Sequence, residues 1–336
     1  MVLHLIIRRL FFLVFVLLGL SLITFTLSHV VPSDPARMIA GPRASPEAVE
    51  KIRKDYGLDR PLHEQYIRYM AGVIRLDFGE SLSSRRPVNQ DLKRYLPATV
   101  ELTLYAMLFA VVAGIPLGVL SAVKRNSLLD GITRTISVLG LSIPSFWLAL
   151  MLQFVLFAQL GLLPDGQRLP IGVKEPPTIT TLYTVDALLS GQFGLFLTAL
   201  KHLAMPAFVL GFGSLAIVTR MVRSGMLEVL GQDYIRTARA KGLEQKTVVI
   251  RHALKNALLP AVTVIGLQIG LLLGGAVLVE IIFSWPGIGR YAFTAIQNFD
   301  YNAVISVTLI IGFAYVTVNL LVDIAYVLLD PRIRVT

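Results

Sequence analysis

Apolar residues along the chain are gathered into six long runs: Leu10 to about Leu27, then about 98–122, 135–161, 199–221, 258–282 and 303–329. Each is close to or above the roughly 20 residues that cross a bilayer as a helix. Arg8 and Arg9 precede the first run, which leads into His29-Val-Val-Pro-Ser-Asp-Pro35 with no A-x-A-like cleavage site. A secretory signal would have a shorter apolar core and such a site, so an uncleaved helix with its N-terminus inside is expected. The pattern predicts an all-α membrane protein of six transmembrane helices.

The polar stretches between the runs set the orientation. Residues 32–96 carry charges of both signs and six prolines, including Pro32, Pro35, Pro42 and Pro46, and are expected outside. Translocation of a segment this long, above about 60 residues, is largely indifferent to its charge. Within it, Ser45 is placed to cap a short solvated helix over Pro46–Asp55, with Pro46 at the first helical position. Lys124, Arg125 and Arg134 flank the second link, Arg332 and Arg334 close the chain, and the link after helix five carries only Arg290 against Asp300. Basic residues collect in cytoplasmic links, so both termini are expected in the cytoplasm. The link 162–198, with Pro164, Pro170, Pro176 and Pro177, is expected to be an irregular external loop. Arg220 to Lys255 is different: long, basic, helix-prone and cytoplasmic, punctuated by Gly231 and Gly242, and it invites a partner protein.

Composition agrees with this picture. Hydrophobic residues make up 55% of the 336 residues and charged ones 15%, against about 25% charged in soluble domains. The formal charge of +10 is accounted for by the positive-inside bias rather than by nucleic acid. Cysteine is absent, which removes disulfides and thiolate metal sites.

Catalytic chemistry is not indicated. No G-x-x-x-x-G-K-[ST] loop exists, His63-Glu64 lacks the second histidine of H-E-x-x-H, and no G-x-S-x-G elbow occurs. The ionisable residues near the apolar runs are Glu101, Lys201, His202, Glu280 and Asp323, all toward helix ends, where snorkelling or a local ion pair explains them. Two features could belong to a conduit. Gly266, Gly270 and Gly274 form a small-residue face at i+4 spacing, suited to helix packing or to a gate. Gly114-Ile-Pro116-Leu-Gly118 could bend helix two.

The segment Asp233-Tyr234-Ile-Arg236-Thr237-Ala238-Arg239-Ala240-Lys241-Gly242, continued by His252, Leu254, Lys255, Asn256 and Pro260, resembles the cytoplasmic coupling motif of ABC importer permeases. Ala238 and Ala240 make a slim helix that could seat in another protein's groove, and Gly242 can take the left-handed conformation that ends a helix. Arg236 and Thr237 stand where the wider family has Glu and Ala, a departure typical of its dipeptide and oligopeptide branch. The resemblance extends through Gly57–Leu62, Asp77-Phe-Gly79 with Ser81, Pro97-Ala-Thr99 with Glu101, Ser142-Ile-Pro144, Glu280, Phe283–Gly287, Asp300-Tyr301 and Asp330–Arg334. Ser33 and Asn302 depart from it at turns.

The chain is thus similar to the first of the two permease subunits of dipeptide/oligopeptide ABC importers. The resemblance implies the type I ABC importer permease fold in a bacterial inner membrane. Its parts would be an N-terminal helix (1–31), an extracytoplasmic segment (32–96), a five-helix core (97–329) holding a coupling segment (222–256), and a cytoplasmic tail (330–336). The implied partners are a homologous second permease, two ABC ATPases, an extracytoplasmic solute-binding protein and membrane lipid. ATP and Mg would be bound by the ATPases; this chain would bind no cofactor or metal and would be no enzyme. The expected function is passage of di- or oligopeptides, with nickel or glutathione as alternative solutes. An ATP-independent carrier or channel would need paired intramembrane charges or inverted repeats.

Overall fold

A computed structural model describes residues 2–30, 35–40, 43–55 and 57–329. The tail 330–336 and the turn at Ser33 lie outside the described residues. In hydrocarbon every backbone polar group must be satisfied within its own segment, and the apolar runs are accordingly helical. Four helices are long and apolar enough to cross a membrane: α1 (Val2–Val30), α5 (Val88–Val123), α9 (Phe193–Leu230) and α16 (Tyr301–Leu329). Six segments qualify if each of two bent pairs is one span.

The first bent pair corrects the expectation of one helix over 135–161, and the second places a break at the start of the run 258–282. Helix three is α6 (Leu128–Ser142) followed, at an angle of 103°, by α7 (Ser145–Leu152) and a π-helical stretch over Gln153–Gln159. Ile143 is extended (ψ 122°) because Pro144 excludes the helical conformation from the residue before it. The second break, of 55°, falls at Leu258. It separates α11 (Gln245–Thr247), a π stretch (Val248–Leu254) and α12 (Lys255–Ala257) from α13 (Leu259–Gly275), which carries Pro260 in its first turn. α13 also stops short of the expected end, and α14 (Val277–Ile282) follows after Ala276.

Other boundaries move outward. α5 begins at Val88, so the 96/97 boundary falls inside a helix and Pro97 is one of its interior residues. Its extra turns are amphipathic, with Val88 and Leu92 buried against Ile288 and Tyr291 of α15 (Ile288–Gln297). Pro116 is likewise passed within one helix. The 32–96 segment contains α2 (Pro35–Ala40), α3 (Pro46–Asp55) and α4 (Leu62–Ile74). The Ser45 hydroxyl accepts from the Ala48 amide at 3.3 Å, as the capping signal predicts.

Small residues set the packing. A β-carbon at Gly118 of α5 would lie 2.7 Å from the Thr219 carbonyl oxygen of α9, and one at Gly211 would lie 2.6 Å from that of Ala106. These two helices therefore approach backbone to backbone, as small-residue seams permit. Gly114 and Gly118 serve this approach rather than a bend. Gly266, Gly270 and Gly274 of α13 lie under Val322, Tyr315 and Ile311 of α16. α1 rides on the same helix, with Leu20 over Gly312 and Arg9 paired to Asp323. Large apolar side chains such as Phe11, Phe15, Leu108, Val112 and Leu271 point outward, while Ala106, Ala110, Ser121 and Thr219 fill the interior. That inversion suits a lipid surround.

Candidate functional site

The two ends of the α5–α9 pair carry different chemistry, and α5 separates them by about 33 Å between Thr99 and Ser121.

At one end the chain leaves α9 at Gly231 and forms α10 (Asp233–Ala240). Gly242, at φ +75°, ends the turn in the left-handed region, its amide donating to the Arg239 carbonyl at 2.9 Å. This is the conformation expected of it. α10 has two unlike faces. Ile235 and Ala238 are buried in a cluster with Val222 and Met226 of α9 and with Val248, Val249 and Ala253 beyond the turn. Asp233, Tyr234, Arg236, Thr237, Arg239, Ala240, Lys241 and Gly242 are exposed. Tyr234 is tied back by the Asn256 amide, which donates to its hydroxyl at 2.7 Å. Thus Ala238, expected to seat in another protein's groove, faces its own chain; its small size lets α10 lie close to the bundle. Gly225 of α9 is needed for the same reason, since a β-carbon there would meet the Ala257 carbonyl at 2.7 Å.

One polar knot braces this end. Asp130 of α6 is fully buried and accepts from Arg223 Nε (2.8 Å) and Nη2 (3.0 Å), from Ser121 Oγ (2.5 Å) and from the Asn126 amide (3.0 Å). It joins α5, α6 and α9 just before α10 begins.

At the other end the buried groups are carboxylates held by irregular chain. Glu101 of α5 pairs with the buried Arg168 (Nε 3.1 Å, Nη2 2.5 Å) and accepts from the Thr184 amide (2.8 Å) and hydroxyl (2.7 Å). The Arg168 guanidinium also lies 3.4 Å over the Tyr183 ring. Link 162–198 is therefore no loose loop. It contains α8 (Tyr183–Leu189), and Asp186 gathers the amides of Ile179, Thr180 and Thr181 with the Thr180 hydroxyl. Burial alone would raise the Asp186 pKa, but these donors outweigh it and hold the carboxyl below its ordinary value.

Glu280 of α14 is buried and, among the described residues, has no basic side chain paired at its oxygens. It accepts from Thr99 Oγ1 (2.6 Å) and the Arg290 amide (2.8 Å), and Thr99 accepts in turn from the Ile288 amide (2.7 Å). A β-carbon at Gly287 would fall 2.2 Å from the Glu280 carboxyl, so the turn Phe283–Gly287 closes over it only as glycine. The Trp285 indole donates to the Ala98 carbonyl at 2.9 Å. Asp300 accepts from Ser81 and Ser83.

Of the ionisable residues singled out from sequence, Glu101 and Asp323 are ion-paired and only Lys201 is simply exposed. His202 is buried with Nδ1 2.5 Å from the Gly166 carbonyl oxygen. Sequence reasoning did not pick out Asp130, Arg168 or Asp186, and quoted Thr99 only within the family resemblance. Arg168 could have been found, being the one arginine in link 162–198 and so the ready counter-charge for Glu101. Among the described residues no group of three or more His, Asp or Glu could hold a metal ion.

The family described as "Binding-protein-dependent transport system inner membrane component" matches residues 114–335, and its N-terminal companion model matches residues 2–103. The probable D,D-dipeptide transport system permease protein of Escherichia coli is 48% identical over 97% of this chain and 96% of its own length. The dipeptide transport system permease protein of Alkalihalophilus pseudofirmus is 46% identical, over 97% and 98%. The glutathione transport system permease protein of Salmonella paratyphi A is 37% identical over 99% of both chains. The matched residues take in α10, the Asp130–Arg223 knot and the Glu280 turn alike, and on this basis the chain belongs to the family of binding-protein-dependent transport system inner membrane components.

Proposed function

We propose that this chain is a permease subunit of an ATP-driven importer. With a homologous second permease it would form the path for di- or oligopeptides handed over by an extracytoplasmic binding protein. Two cytoplasmic ATPases would supply the ATP chemistry, and this chain would catalyse nothing. In this reading α10 and both termini lie in the cytoplasm, while 32–96, 162–198 and 284–302 face the binding protein. Peptide is favoured as solute by the names of the relatives at 48% and 46% identity, against 37% for the glutathione permease.

One observation carries the reading. α10 stands beyond the end of a membrane-length helix with a charged face exposed and an apolar face anchored to α9 and to the 248–257 stretch. A push on the exposed face is delivered through Ile235, Ala238 and the Tyr234–Asn256 bond to the helices leading into α9 and α13. Rigid-body tilting of packed helices is how such pushes alternate access.

Because the chain has no cysteine, single-cysteine variants at Thr237 or Arg239 report contacts without background. In proteoliposomes containing the partner subunits, both are expected to cross-link to an ATPase subunit, and wild-type vesicles are expected to take up labelled dipeptide only with ATP and binding protein. Cross-linking to lipid alone would remove the coupling assignment. Uptake of glutathione in place of dipeptide would change the solute and keep the rest.

A further inference from the structure

Between α6 and α9, at the α10 end, lies a half-open groove of about 280 Å³. Arg134, Arg220 and Arg223 line it, with Val138 and Leu141 one and two helical turns further along α6. Among the described residues the only carboxylate paired with any of the three arginines is Asp130. Arg223 already takes both Asp130 oxygens, and Arg134 reaches them only at 3.8 Å with its side chain 59% exposed. Arg220 is exposed and, among the described residues, has no acidic partner. Three guanidinium groups over one carboxylate leave two positive charges in excess. Beside them runs an apolar track, with Val138 62% and Leu141 45% exposed.

We propose that this groove holds the phosphate headgroup of an anionic phospholipid, with the acyl chains along Val138 and Leu141. Guanidinium forks suit phosphate oxygens, and basic pockets between membrane helices on the cytoplasmic side are where anionic headgroups bind. The ligand that satisfies surplus positive charge and an adjoining aliphatic track at once is a lipid; a dipeptide carries the charge without the long apolar part. The site rests on these helices spanning a bilayer with the α10 end at its cytoplasmic face. Its readout is lipid retention, which peptide uptake does not affect.

The test uses the purified complex in phosphatidylcholine nanodiscs doped with phosphatidylglycerol, and native mass spectrometry of the lipid it retains. Wild type is expected to hold phosphatidylglycerol over phosphatidylcholine. Loss of about fivefold is expected for Arg220→Gln, and about 25-fold for Arg134→Gln with Arg220→Gln, at roughly 1 kcal/mol per basic residue near a charged surface. Arg220→Lys should restore most of the retention, and added salt should weaken it. Arg223 is left intact because it holds Asp130. Inorganic phosphate should compete only weakly, since it lacks the chains; equal competition would reduce the site to a free-phosphate site and overturn the lipid assignment. Equal retention by wild type and the double variant would also overturn it. So would displacement of lipid by dipeptide, which would place the groove on the solute path, or cross-linking of Val138→Cys to the second permease, which would make it a protein interface.

Discussion

The two ends of the α5–α9 pair are held by opposite means. At the loop end, five carboxylates (Asp91, Glu101, Asp186, Glu280 and Asp300) are buried, each clasped by hydroxyls or amides, and two of them by arginine as well. At the α10 end a single carboxylate is buried, and the rest of the contact is Ile235, Ala238, Val248, Val249 and Ala253. The difference follows from what each end must order. Irregular chain buried against helices has backbone groups without helical partners, and directional bonds to carboxylates and hydroxyls supply them. A short helix with exposed ends satisfies about half of its backbone groups itself and leaves the rest to water, so it needs only a snug apolar seat. Apolar contact is non-directional, so the α10 seat can slide as a unit where the loop end cannot.

Removing one partner of the loop-end pair should therefore have the largest effect. Glu101→Ala leaves Arg168 buried and uncompensated, a loss of about 3–5 kcal/mol. Glu101→Leu with Arg168→Leu should recover most of it. Thermal unfolding of the detergent-purified chain is the measurement, and equal losses in the single and double variants would show that the pair is not what holds link 162–198.

Next comes the contrast between two alanines on α10. Ala238→Glu forces a charge into the Val248–Ala253 cluster and should unseat α10, seen as fast amide exchange over 233–242 and loss of coupled ATP hydrolysis. Ala240→Glu, on the exposed face, should leave exchange unchanged. If both variants exchange alike, the two-faced description of α10 is wrong.

Gly118→Ala tests the backbone-to-backbone seam that joins the two ends. The added methyl would meet the Thr219 carbonyl, and overpacking of this kind costs about 1–3 kcal/mol. A lowered melting temperature with unchanged amide exchange in α10 is the expected pattern.

The smallest effect is that of acid on Asp186. Its folded pKa is depressed, so its contribution is complete above the ordinary aspartate value of about 4 and is lost as pH falls through the lower folded value. Limited proteolysis across 176–190 should be unchanged from pH 8 to pH 5 and should rise only in stronger acid. Loosening near neutrality would mean that another group orders this loop.

Legibility in the sequence followed the same division. α10 was readable almost to the residue, because its start, its end at Gly242 and its slim alanines are local features. The direction in which Ala238 points was not, since which face of a short helix is covered depends on the 248–253 stretch folding back over it. The break at Ile143 was available from Pro144 alone, yet an apolar run conceals it. Glu101 and Glu280 could be flagged as unusual, but Arg168 is 67 residues from the first and Thr99 is 181 from the second.

The sequence by itself determined that this protein lives in a membrane as a bundle of helices, that one polar hairpin projects from it, and which family it resembles. These properties rest on run length, charge placement and motif text, all local along the chain. Tertiary structure alone decided that the small-residue faces pack within the chain, that Glu101 meets Arg168 and Glu280 meets Thr99, and that α10 turns its alanine inward. Each of those depends on which distant backbone approaches within a few ångströms, a matter of shape that no single stretch of residues records.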